Sequence, residues 1–136
     1  MVIDASVAAS WFLKTQATRR ADELLANRRA HAFVAPVYFA VELRNVLLLG
    51  ERRGAITREN VEENVLRASV LIDIEHGDVQ AEAEGAMATA RAFGLTLYDA
   101  MYPTKALVEG RALASRDRQL LDAARAAGVD VFDARD

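Results

Sequence analysis

Asp4, Glu42, Asp99 and Asp117 are the side chains of this sequence best placed to do chemistry together. Asp4 closes the apolar opening Val2-Ile3, and Asp117 follows the apolar run Ala112-Leu113-Ala114-Ser115 by two residues. Asp99 stands at an expected helix start, and Glu42 lies between Val41 and Leu43 inside an apolar stretch. Each has a plainer reading. An aspartate before a helix is an ordinary N-cap, and a helical glutamate usually faces solvent because carboxylates are seldom buried unpaired. As a set they imply more. Two carboxylates ~5 Å apart repel by roughly 3 kcal/mol at an effective dielectric of about 20, so four in one cleft require protons or a divalent cation. Hard oxygen donors select Mg²⁺ or Mn²⁺. Such ions make a hydroxide nucleophile near neutral pH and clamp the oxygens around phosphorus. The chemistry this implies is phosphoryl transfer.

The surrounding pattern supplies a scaffold that would gather these acids. Short apolar strands are expected at residues 1–3, 32–35, 70–74, 112–115 and 129–132, and helices at 5–13, 18–27, 38–53, 57–70, 79–93, 99–108 and 118–127. Helix-period apolar positions such as Ala21, Leu24 and Leu25 support these assignments. So do the stops at Gly54, Gly94 and Gly128. Alternating strands and helices predict an α/β fold with a mainly parallel sheet of about five strands, covered by helices on both faces. Two helices rather than one separate the first strand from the second, and the second from the third. In such sheets ligands bind beyond the carboxyl ends of the strands, near the reversal of strand order. That is where Asp4 and Asp117 fall.

Composition narrows the class further. The 136 residues are 52% hydrophobic and 27% charged, with 7 Gly, 2 Pro and no repeat or linker, which fits one domain over residues 1–136. With no cysteine, disulfides, thiolate metal sites and cysteine nucleophiles are excluded. The apolar run 2–13 carries Asp4, lacks a basic leader and is too short to span a bilayer. A cytoplasmic location is expected. The net charge of −3 argues against binding nucleic acid over the whole surface but leaves room for a local basic rim. Lys14, Arg44, Lys105, Arg116 and Arg118 neighbour the acidic motifs and are the candidates for phosphate contact, whereas the pairs Arg19-Arg20, Arg28-Arg29 and Arg52-Arg53 read as solvated faces. His31 and His76 lack zinc-motif spacing, and no nucleophile elbow or phosphate-cradling glycine loop is present. Trp11, Phe12 and Phe39 read as core or interface residues.

Four segments in this order resemble a PIN domain, and within that family the VapC toxins of bacterial toxin–antitoxin pairs. They are Val2-Ile3-Asp4-Ala5-Ser6, the element from Pro36 to Glu42, Thr96-Leu97-Tyr98-Asp99-Ala100-Met101-Tyr102, and Ser115-Arg116-Asp117. The likeness spans essentially the whole chain. It implies a three-layer PIN-like sandwich and a ribonuclease in which Asp4, Glu42, Asp99 and Asp117 bind Mg²⁺ or Mn²⁺, with Ser6 and Ser115 in support. It also implies a cognate antitoxin and a homodimer, for which the apolar residues of 38–49 and the helix after Thr57 offer a face. Pro103 departs from the family pattern, because proline is tolerated in a first helical turn and disruptive in an interior one. The helix is therefore expected to start later or to be distorted beside Asp99. Two other functions compete: a receiver-type phosphoacceptor module, which would carry paired acids at its first strand, and a PIN-like protein that binds without cutting.

Overall fold

The computed structural model describes residues 1–136. Five short strands, β1 (Val2–Ile3), β2 (Val34–Ala35), β3 (Asp73–Ile74), β4 (Leu113–Ser115) and β5 (Val131–Asp133), form one sheet in the order β3-β2-β1-β4-β5. Every pairing is parallel. β1 is central, with Val2 opposite Val34 on one side and Leu113 on the other. The chain moves outward from β1 to β3 and then returns to β4, so strand order reverses between β1 and β4. Their carboxyl ends open onto Asp4 and onto Arg116 and Asp117.

Seven helices cover the sheet: α1 (Ala5–Phe12), α2 (Arg19–Ala26), α3 (Phe39–Arg52), α4 (Arg58–Leu71), α5 (Val79–Phe93), α6 (Leu97–Glu109) and α7 (Arg118–Ala126). They form two packed groups, α1 to α4 and α5 to α7, giving the α/β three-layer arrangement expected from the alternation. None of the helices is long and apolar enough to cross a membrane. α3 buries Phe39, Leu43 and Leu47, a stripe at four-residue spacing. Glu42 therefore rides on the edge of that stripe rather than in it. Gly50 continues the stripe and lets α3 approach α1, since a Cβ there would lie 3.0 Å from the Leu13 side chain.

Several boundaries differ from the sequence expectation. The third strand is confined to Asp73–Ile74, because α4 runs on to Leu71 and leaves Val70 exposed. A short apolar run fits either state, and this edge strand needs only two residues to pair with β2. The fifth strand begins at Val131, since the Val129 amide closes the exit of α7 on the Ala124 carbonyl at 2.9 Å. The largest difference is in α6. It starts at Leu97 with Thr96 as its N-cap, earlier than the expected 99, and encloses Pro103. Proline has no amide to offer the carbonyl four residues back, so the Asp99 carbonyl loses its helical donor. The Thr104 hydroxyl, one residue on, bonds the Ala100 carbonyl at 2.7 Å.

Candidate active site

Asp4 is 5% exposed and accepts three hydrogen bonds at the end of β1. Its Oδ1 takes the Val7 amide at 3.0 Å and the Ser6 hydroxyl at 2.7 Å, and its Oδ2 takes the Ser115 hydroxyl at 2.5 Å. Both serines are used twice. The Ser6 oxygen accepts the Arg116 amide and the Ser115 oxygen accepts the Asp117 amide, each at 2.9 Å. The exits of β1 and β4 are thereby cross-linked around one buried carboxylate. Asp117 itself is exposed and caps α7 through the Leu120 amide at 3.1 Å. Being a cap and belonging to a site are thus compatible for Asp4 and Asp117. For Asp99 the cap reading is wrong, because the Thr96 hydroxyl accepts the Asp99 amide at 3.2 Å and caps α6 in its place.

Glu42 enters from the first turn of α3 and accepts a hydrogen bond from the hydroxyl of Tyr102, which is 1% exposed. Sequence reading assigned Tyr102 no role of its own. Its signal was position, three residues beyond Asp99 and hence on the same helical face. Glu82 of α5 was missed outright: its carboxylate accepts the amides of Val37 at 2.8 Å and Tyr38 at 3.3 Å, pinning the entry to α3 against the α5–α6 pair. Nothing in sequence points across the 45 residues that separate them.

The four acids form one electrostatic set. Burial is the main force on Asp4, pushing its carboxyl to about 6 against the pull of its hydrogen bonds, and Asp117 adds repulsion. Burial also lifts Glu42 to about 6, opposed by the Tyr102 hydroxyl and assisted by the charges of Asp4 and Asp99. Asp99 is raised by burial and by Asp117. None of the four is in a salt bridge. They do not close into a cage, since no three Asp, Glu or His side chains converge on one point at ligating distance. The donor set still fits Mg²⁺, which keeps several waters and takes only one or two carboxylates. The Asp99 carboxylate and the second oxygens of Glu42 and Asp117 are the groups open to an ion.

The basic candidates differ in what engages them, and Lys14 is exposed and in no ion pair. Lys105 is engaged by Glu75 at 2.8 Å and Glu109 at 2.7 Å, and Arg118 leans toward Asp122 at 3.8 Å. Arg44 bonds the Ala40 carbonyl on its own helix. Arg116 lies against Ser6, holding only long bonds to the Ser6 carbonyl at 3.5 Å and Gln16 at 3.4 Å, with its Nε buried and unpartnered.

Tyr102→Phe tests the inner pair directly. It keeps the packing and removes the donor that holds Glu42 down. NMR titration should show the Glu42 carboxyl shifted above about 6, with a stability loss of about 1 kcal/mol. An unchanged titration would show that the hydroxyl does not govern Glu42.

The parallel sheet thus reverses its strand order beside a group of mutually repelling carboxylates. The PIN-domain profile matches residues 1–126, and the chain belongs to the PIN-domain family, whose members are generally nucleases and typically use divalent metals. Among solved structures it is similar to PAE2754 from Pyrobaculum aerophilum, at 22% identity and a TM-score of 0.69 over 96% of this chain and 87% of that one. It is also similar to FitAcB from Neisseria gonorrhoeae, at 21% identity and a TM-score of 0.64 over 98% and 96%. FitAB bound to an IR36 DNA fragment matches at 16% identity and a TM-score of 0.57 over 98% and 94%. These likenesses establish the fold. No curated protein matches the chain.

Proposed function

We propose that residues 1–136 form one nuclease domain acting as a metal-dependent endoribonuclease, the toxin of a VapC-like toxin–antitoxin pair. The observation that carries this reading is the set of four coupled carboxylates, none with a basic partner, at the reversal point of the sheet. Asp4, Glu42, Asp99 and Asp117 would hold Mg²⁺ or Mn²⁺ directly or through water. The bound ion supplies a water of lowered pKa and neutralises charge at phosphorus. Ser6 and Ser115 orient Asp4 and fix Arg116 and Asp117 relative to it. Arg116, free of any carboxylate, would contact the phosphate of the RNA. Protonated Asp4 and Glu42 are poor ligands, so activity should decline below about pH 6. The receiver alternative falls away with membership of the PIN family.

The partners follow from charge and exposed surface. An antitoxin that sets a basic side chain among the carboxylates relieves their repulsion without metal, which is how we read the FitAcB and FitAB likenesses for this chain. Leu48 and Leu49 of α3, with Leu66 and Val70 of α4, are exposed and offer a face for a homodimer. Such a protein works in the cytoplasm, on cellular RNA. The test is cleavage of total RNA with added Mn²⁺ and again in excess EDTA. Cutting is expected only with metal. Full cutting in EDTA would overturn the mechanism, and none under either condition would leave a PIN-like binding protein.

A further inference from the structure

We propose that Tyr98, stacked on Tyr38, is a platform for one unpaired nucleobase of single-stranded RNA beside the carboxylates; the inference rests on the ribonuclease reading above. Helix α6 reaches α3 through two tyrosines one turn apart. The inner one, Tyr102, is buried against Glu42, whereas the outer one, Tyr98, is 54% exposed. The Tyr98 and Tyr38 rings lie 4.7 Å apart between centroids and 21° from parallel. The main chain of Tyr38 is anchored beneath this stack. Its amide is held by Glu82 at 3.3 Å, and its carbonyl accepts the Glu42 amide at 3.1 Å. One face of Tyr98 is covered by the Tyr38 ring while the side chain remains largely open to solvent. Val41, three residues beyond Tyr38 and 60% exposed, continues the apolar rim.

Location and charge favour a base over any other occupant. Tyr38 precedes Glu42 by one helical turn and feels the charges of both Glu42 and Asp99, so a base stacked on Tyr98 would lie beside the acids. A chain of net charge −3 with an acidic cleft cannot draw in a polyanion by charge alone. Stacking supplies attraction that does not depend on charge and tolerates any base, since every base has a π-face.

The experiment compares binding of oligoadenylate with binding of an abasic ribose-phosphate chain of equal length, both in Ca²⁺, for wild type and for Tyr98→Ala, Tyr98→Leu and Tyr98→Trp. Wild type should prefer the base-bearing chain by roughly 10- to 100-fold. Ala and Leu should abolish the preference without changing abasic binding, and Trp should retain it. Leu keeps apolar bulk without a π-face, so its loss separates stacking from packing. Variants that bind both chains as wild type does would overturn the platform alone. An equal loss on both chains, or a change of oligomeric state in light scattering, would also overturn it and mark Tyr98 as a subunit contact. If wild type binds neither chain and cuts no RNA, the ribonuclease reading fails and this inference fails with it.

Discussion

Asp99→Asn should lower RNA cleavage by well over ~100-fold, the upper range for losing an outer-shell partner of a metal site, while leaving the metal-free protein at least as stable as wild type. The separation of the two effects comes from where the side chain sits. Thr96 caps α6, so the Asp99 carboxylate terminates no helix. Its charge is disfavoured by burial and by Asp117. Asparagine keeps the size and removes the repulsion. The same change at Asp4 is a poorer test. It would turn an amide NH₂ toward the Ser115 hydroxyl, whose oxygen already accepts the Asp117 amide, and the serine proton would lose its acceptor. A stranded buried donor costs about 1–3 kcal/mol, which would offset the relief of charge. Cleavage rates with Mn²⁺, paired with thermal melts in EDTA, decide the matter. An Asp99→Asn protein that cuts RNA at the wild-type rate would remove Asp99 from the site.

What the sequence disclosed, and what it hid, follows from the range of the forces involved. The acids could be picked out because Asp4 and Asp117 mark strand ends, and strand ends follow from local apolar runs. The core stripe of α3 was equally local. The start of α6 was misplaced because Thr96 and Asp99 are both good caps; of the two outcomes Pro103 allowed, a later start or a distorted helix, the later start is excluded, and the helix encloses the proline. The apolar run ending at Ile72 was ambiguous for a different reason, since three or four apolar residues satisfy helix and strand periods alike. Contacts at long sequence separation were invisible. The Ser115–Asp4 bond spans 111 residues and the Tyr102–Glu42 bond 60. The engagement of Lys105 by Glu75, 30 residues away, was hidden for the same reason. Side-chain identity showed which groups could act, but only the fold shows which are already engaged.

The metal-free protein should be most stable near about pH 4 and should lose on the order of 3 kcal/mol by about pH 7.5, a loss that Mg²⁺ reverses. The sign follows from Asp4, whose carboxyl rises from 3.8 to about 6 on folding. Between those values the folded state holds a proton that the unfolded state has released, so stability falls as pH rises through the window and is level above it. Glu42, raised from 4.5 to about 6, acts in the same direction. Because Asp4 and Glu42 repel each other, their contributions do not simply add. Asp133, lowered to about 2 by Arg135, has the opposite effect: its contribution is complete above its ordinary 3.8 and is lost as pH falls toward 2. A maximum between the two windows results. For a domain of this size the neutral-pH deficit corresponds to roughly 10 °C in Tm. Millimolar Mg²⁺ binds the deprotonated acids, so it should raise Tm at about pH 7.5 by mass action and scarcely at all at about pH 4.5. Glu42→Gln should flatten the slope, because its amide carbonyl still accepts the Tyr102 hydroxyl while the charge is gone. Melts at both pH values, in EDTA and in Mg²⁺, are the measurement. A Tm in EDTA that climbs from pH 4.5 to 7.5, or a response to Mg²⁺ equal at both, would mean that these carboxylates are neither strained by their neighbours nor held ready for a cation.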